Sequence, residues 1–296
     1  YYRKTTDLIN TATVSAGSNF RNQVVSNIGS LENRGIEASL TVRPVVTENW
    51  QWEVTANFTY NKNKITELTG EGDIIMTGGI SAGTGNQVQA HAVGHPASSF
   101  YVFQQVYDQN GKPLEGVYVD RNADGIINDS DRYLYKSPDA PYTAGLSSRL
   151  QFWNWDFGFG LRASIGNYVF NNIEAGYANM SAAALNPGLN GLFLNNRPTS
   201  SLEYNWQTYD QVAQRSDRYV HNASFLKCDN ITLGYSFNNL LKMGSYKGIS
   251  GRVYGTVNNV FTITKYDGID PEIANGYDNQ MYPRPISFIL GLNLNF

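Results

Sequence analysis

Residues 49–61 read NWQWEVTANFTYN, and this stretch decides the class of fold. Trp50, Trp52, Val54, Ala56, Phe58 and Tyr60 alternate with Gln51, Glu53, Thr55, Asn57, Thr59 and Asn61. A hydropathy period of two residues is that of a β-strand with two unlike faces. In a soluble sandwich the apolar face turns inward to a core. In a membrane barrel it turns outward to lipid, and the polar face lines the lumen. One strand does not choose between these settings, so the choice falls to the rest of the chain.

The same rhythm recurs. Ile36, Ala38, Leu40 and Val42 alternate with Glu37, Ser39, Thr41 and Arg43. Tyr142, Ala144, Leu146, Leu150 and Phe152 share one face of the next segment, and Trp155, Phe157, Phe159, Leu161, Ala163 and Ile165 one face of another. The last segment carries Ile286, Phe288, Leu290, Leu292, Leu294 and Phe296 on one face. Residues 1–9, 225–237 and 252–264 read as further strands. In the second of these, Lys227 and Asp229 fall on the nominally apolar face, which either a bulge or a position above the apolar band explains.

Connections between these segments alternate in length. Residues 44–49, 153–154 and 238–248 are short links, whereas 10–30, 69–141, 171–219 and 266–283 are long. Outer-membrane barrels have this layout, with short periplasmic turns, long extracellular loops and strands of about ten residues. Trp50, Trp52, Phe152, Trp153 and Trp155 gather at the short-turn ends, and Tyr60, Tyr142 and Tyr168 at the other, as two interfacial girdles do. The expectation is an all-β fold, an antiparallel transmembrane β-barrel with about eight strands and a periplasmic C-terminus.

Composition removes other classes. The net charge of −3 and the absence of a dense basic patch argue against a nucleic-acid partner. Mean hydropathy is −0.37, and no apolar run is long enough for a membrane-spanning helix. A single cysteine, Cys228, excludes an internal disulfide. Residues 1–10 lack the apolar core of a signal peptide and already read as a strand, so the chain is expected to be a piece of something larger.

Residues 120–131, DRNADGIINDSD, match the twelve-residue calcium loop. Asp120, Asn122 and Asp124 supply side-chain oxygens, Gly125 the sharp turn, Ile126 a carbonyl, Asn128 a direct or water-bridged contact, and Asp131 the last ligand in place of the usual Glu. Such hard oxygen donors select Ca2+, in a structural role within the 69–141 loop, against the plainer reading of an Asp/Asn/Gly turn that binds nothing.

Catalytic signatures are missing. His91 and His95 are separated by Gly94 and followed by Pro96, which breaks the helix that a zinc pair needs; the third histidine, His221, stands alone. No nucleophile elbow, zincin motif or phosphate loop occurs, and the chain is not expected to be an enzyme. Tyr101, Phe103, Tyr107, Phe193, Tyr204, Trp206 and Tyr209 lie in long loops as candidates for stacking on a substrate, with ordinary loop packing as the competing role.

Residues 224–237 (SFLKCDNITLGYSF), 257–273 (VNNVFTITKYDGIDPEI) and 283–296 (PRPISFILGLNLNF) resemble the C-terminal strands of SusC/RagA-type TonB-dependent outer-membrane transporters. So do YYRKTTDLI at the start, NRGIEASL at 33–40, and the acidic loop followed by SPDAPYTAGLSSRLQF. The segment holding Tyr266, Gly268, Asp270, Pro271 and Glu272 is the most specific piece, and Lys227-Cys228-Asp229 is the main departure. The resemblance implies a bacterial outer-membrane location and a place in the C-terminal part of a barrel of about 22 strands. It implies uptake of oligosaccharide or peptide with a SusD-like surface lipoprotein, driven by TonB through a plug domain that this chain does not contain. The remaining alternative is a complete small outer-membrane barrel serving as adhesin, structural anchor or enzyme.

Overall fold

The computed structural model describes residues 1–13, 23–27, 29–68, 74–79, 86–177, 180, 198–208, 210–240, 248–279 and 282–295. Eight antiparallel strands form one sheet in chain order: β1 (Tyr2–Thr5), β2 (Gly29–Val46), β3 (Trp50–Leu68), β4 (Tyr142–Phe152), β5 (Trp155–Ile165), β6 (Phe225–Leu240), β7 (Ile249–Thr264) and β8 (Ser287–Asn295). Each strand pairs with its sequence neighbours, so the chain runs up and down as the loop alternation requires. Among the described residues β1 and β8 do not pair with each other, so the sheet is an open wall rather than a closed eight-stranded barrel. The small complete barrel is therefore not what these strands build.

Register turns alternation into two continuous faces. One lateral row joins Trp52, Leu150, Phe157, Leu233, Gly255 and Leu290 as successive cross-strand partners. The apolar face is left open: Ile36, Leu40, Leu233 and Val253 are exposed, and Leu290 is 90% exposed. Side chains of this kind, bare on one whole face of a sheet, fit an acyl-chain solvent. The opposite face carries Thr41 against Thr55 at 2.9 Å, Arg43 on Glu53 at 2.8 Å and Arg252 on Asp156. Gly234 lies between Asp156 and Tyr254 in register, and a Cβ there would collide with the Arg252 and Asp156 side chains.

The girdle at the short-turn end is a chain of ring contacts. Trp50 stacks on Phe152 at 5.4 Å, Phe152 lies 6.5 Å from Trp155, and Trp155 lies 4.8 Å from Tyr235. At the other end Tyr142 meets Phe58 and Tyr60. Tyr168, expected in that second girdle, packs instead against the loop core, with Lys136 over its ring.

Three boundaries differ from those read in sequence. The turn expected over residues 44–49 narrows to 47–49, because β2 runs through Pro44 with a register shift between Val42 and Val45. The strand expected over residues 1–9 is only Tyr2–Thr5; Ile9–Thr13 pairs with Gln23–Asn27 as a separate hairpin. β2 and β3 span 18 and 19 residues and extend past the apolar band, since Arg34 and Lys62 follow Ile36 and Tyr60 on the same face. The Lys227/Asp229 irregularity is a bulge: Gly160 faces Asn230 and the next residue, Leu161, faces Cys228, so Asp229 is the extra residue. Phe296 lies outside the described residues.

The two faces make unequal demands on substitution. Leu233→Arg puts a charge on the lipid face and is expected to cost about 2–4 kcal/mol near the midplane. Thr232→Arg, on the polar face, forfeits only the hydroxyl contact to Thr256 and is expected to cost about 0.5–1.5 kcal/mol. Denaturant titration of both variants in lipid vesicles reads the difference, and equal costs would contradict this assignment of faces.

Candidate functional site

Above the wall the long loops pack on one another around a core of their own. Val88, Phe100 and Val102 come from the β3–β4 connection, and Phe170, Ala175, Tyr219 and Val220 from the β5–β6 connection. Tyr277 joins them from the β7–β8 connection. Short strands cement the contact: residues 277–278 pair in parallel with 170–171, and 168–170 of the same strand pair with 220–222. Among the described residues the wall strands form no comparable cluster, because their large apolar side chains point to lipid.

Where these three connections meet, a cavity of about 620 Å3 is lined by Tyr107, Glu174, Glu203, Tyr204, Arg218, His221 and Asp267, among others. Glu174 sits on the helix Asn172–Tyr177, whose first turn is capped by the Asn171 side chain on the Glu174 N–H. Its carboxylate meets His221 Nε2 at 3.0 Å and Arg218 Nη2 at 3.8 Å. Burial works against ionisation of Glu174, but the His221 hydrogen bond and the charges of His221 and Arg218 outweigh it and hold the carboxyl below its usual range. The Arg218 guanidinium lies 4.2 Å from the Trp206 ring, 4.5 Å from Tyr204 and 5.3 Å from Tyr219. Its terminal nitrogens find no hydrogen-bond acceptor among the described residues, so the ring faces hold the cation. Partial desolvation and the Asp217 carboxylate raise the half-exposed Tyr107 phenol to about 12, so it remains a hydroxyl donor.

Of the aromatic residues singled out in sequence, Tyr107 and Tyr204 come together at this cavity. Trp206 is buried beneath it against Arg218, and Phe103 is fully buried, with Arg215 over its ring. Tyr101 lies apart, on the strand Ser99–Val102, under the Arg132 guanidinium at 4.4 Å. Phe193 and Tyr209 lie outside the described residues. Glu174, Arg218, His221 and Asp267 had no motif to mark them; only the meeting of three loops makes them neighbours.

The acidic loop closes on itself through side chains on backbone N–H groups. Asp120 Oδ2 accepts from Gly125 at 2.7 Å, Asn122 Oδ1 from Asp124 at 3.1 Å, and Asp124 Oδ1 from Ile126 at 2.8 Å. Asn128 Oδ1 accepts from Ser130, and its amide donates to the Ile126 carbonyl. Asp131, fully buried, accepts from Asn128, Arg121 and Asn122, and these bonds keep its carboxyl below its usual range. Gly125, at φ +82°, makes the turn. Among the described residues no three Asp, Glu, His or Cys side chains converge as a metal centre. One oxygen, Asp120 Oδ1, is buried without a partner.

His91 and His95 do not act as a pair. His91 Nδ1 accepts from the Ser98 N–H at 3.0 Å, and the His95 backbone bonds to Ile65. Burial lowers the His91 pKa, so the folded form favours neutral imidazole. Protons then bind the unfolded segment first, and stability falls as pH drops below the ordinary histidine value of about 6.5. Proteolysis of the 87–99 hairpin is expected to quicken between about pH 7.5 and 5.5, and His91→Gln to flatten that dependence.

Comparison with known proteins follows the same outline. Residues 1–90 match the model of the TonB dependent receptor-like β-barrel family. The chain is 49% identical over 302 residues to the TonB-dependent receptor SusC of Bacteroides thetaiotaomicron, covering 100% of this chain and 29% of that protein. It is 30% identical over 319 residues to the TonB-dependent receptor P26 of Formosa agariphila, covering 100% of this chain and 32% of that one. The RagAB peptide importer in its open-open state superposes with a TM-score of 0.76 at 25% identity, over 100% of this chain and 32% of that chain. The chain thus spans about a third of the length of the proteins it matches, and those relatives are receptors and transporters rather than enzymes.

Proposed function

We propose, from the premise that this chain is barrel wall of a SusC/RagA-type TonB-dependent receptor, that it serves outer-membrane nutrient import. Likeness over the whole chain to SusC, joined to a sheet with two open edges, carries the reading. An open wall leaves rows of N–H and C=O groups that lipid does not satisfy, so both edges call for further strands of a larger barrel. The short-turn side is periplasmic in this reading. β8 ends there, since Asn295 pairs with Ser250 just after the β6–β7 link.

Polar and aromatic groups around the cavity suit a large hydrated nutrient, an oligosaccharide or a peptide, entering from the loop side. Tyr107 and Tyr204 offer ring faces, and Glu203, Asp267 and the Glu174–His221 pair offer hydrogen-bonding groups. A SusD-like lipoprotein acts as lid above the loops, and TonB supplies energy through a plug carried elsewhere in the receptor. The experiment is calorimetric binding of a neutral oligosaccharide mixture and of a short-peptide mixture to the whole purified receptor. One of the two is expected to bind, and Tyr204→Ala to weaken it by about 0.5–1.5 kcal/mol. Binding of neither, or full affinity in the variant, would overturn the assignment of this cavity.

We also propose that residues 120–131 hold a structural Ca2+, with Asp120, Asn122, Asp124, the Ile126 carbonyl, Asn128 and Asp131 as the oxygen donors. The partnerless Asp120 Oδ1 supports this, because a buried carboxylate oxygen without a donor calls for a counter-ion. Chelation is expected to speed proteolytic cleavage between Leu114 and Pro138, with added Ca2+ restoring protection. Unchanged cleavage would leave the loop as a turn held by its own hydrogen bonds.

A further inference from the structure

Three cations and three carboxylates meet where the β7–β8 connection folds back over the wall. Glu272 Oε1 lies 2.8 Å from Arg162 Nη1, while Oε2 lies 3.1 Å from Lys227 Nζ and 2.7 Å from Arg284 Nη1. Arg162 also binds Asp229, and Arg284 Nε reaches Asp270 Oδ2 at 2.7 Å. Register places Lys227 opposite Arg162 on the polar face, and the bulge brings Asp229 to the same side. Residues 270–272 therefore lie against the face that lines the lumen instead of splaying out from the rim.

Other described residues of the connection, from Tyr266 to Asp278, are pinned as well. Tyr266 Oη donates to Asp278 Oδ2 at 2.8 Å, and the Tyr266 ring meets His221 edge-on at 6.2 Å. Gln89 Nε2 donates to the Asn275 carbonyl at 2.9 Å. Gly276, at φ +80°, packs against Pro138 and Gln89, where a larger residue has no room. Asp267, beside Tyr266, is on the cavity lining.

We propose that residues 266–279 form a strap folded into the lumen and latched by Glu272, and that the latch positions the wall of the ligand cavity that carries Asp267. Glu272 does not line the cavity; it acts through the strap. Desolvation disfavours its charge, yet Arg162 and Lys227 hold the carboxyl down at about 2, so the latch stays ionised at any pH the cell surface meets. Lys227, with a side chain only 4% exposed, meets its carboxylate in Glu272, so neutralising Glu272 strands a buried cation. The positioning half of the proposal rests on reading the cavity as the ligand site; the latch itself does not.

The test is hydrogen exchange and binding on the whole receptor, comparing wild type with Glu272→Gln and Asp229→Asn. Glu272→Gln is expected to speed exchange of the amides of residues 266–279 by about tenfold or more, leaving β5 and β7 unchanged, and to weaken whichever nutrient mixture binds by about tenfold. Asp229→Asn leaves all three Glu272 pairs in place and is expected to preserve protection of the strap. Unchanged exchange in Glu272→Gln overturns the latch. Faster exchange with unchanged affinity overturns the positioning role. If wild type binds neither mixture, the cavity reading fails while the exchange result still decides the latch. Should Glu272→Gln not assemble, Arg284→Gln removes two of the strap's pairs, to Glu272 and to Asp270, at an exposed position, and protection unchanged in that variant also overturns the latch.

Discussion

Backbone pairing between neighbouring strands is the constraint from which the rest of this structure descends. Lipid offers no hydrogen bonds, so every N–H and C=O at membrane depth must find its partner in the next strand. Once register is set on that account, a period of two sorts every side chain to one of two solvents. The row from Trp52 to Leu290 and the ion pairs Arg43–Glu53 and Arg252–Asp156 are two consequences of the same ladder. A slip of one residue would put the charges in lipid and the rings in the lumen.

Among the described residues the buried hydrophobic clusters belong to the loops and not to the wall. Val88, Phe100, Val102, Phe170 and Val220 pack where the connections converge, while Arg132 and Arg218 are held against aromatic rings nearby. The loops thereby behave as a headpiece mounted on the rim. The cavity walled by three connections depends on such packing, because each connection supplies only part of the lining. The bulge at Asp229 belongs to this economy: an irregularity in the wall provides a bonding site for the headpiece.

Strand existence, the up-and-down order and the two faces were legible because each depends on local alternation, as in residues 49–61. Strand length was not, since Arg34 and Lys62 continue a ladder that sequence hydropathy had already abandoned. The acidic loop was recognisable from spacing alone, yet spacing does not say that Asp131 spends its oxygens on three backbone donors. Of the aromatic candidates, Tyr107 and Tyr204 reached the cavity and Phe103 went into the core. Phe103 follows the apolar run Phe100, Tyr101 and Val102, whereas Tyr107 and Tyr204 have polar neighbours on at least one side, and which distant loop covers each ring completes the difference.

By itself, the sequence determined the class of wall, its topology and the solvent on either face, because periodicity and loop length act over a few residues. Only the tertiary structure decided that β1 and β8 do not pair among the described residues, that Glu174, Arg218, His221 and Asp267 share a cavity, and that Glu272 reaches Arg162. Those facts depend on contacts between residues tens to more than a hundred positions apart, up to 110 for Arg162 and Glu272, and no local pattern encodes a meeting at that separation.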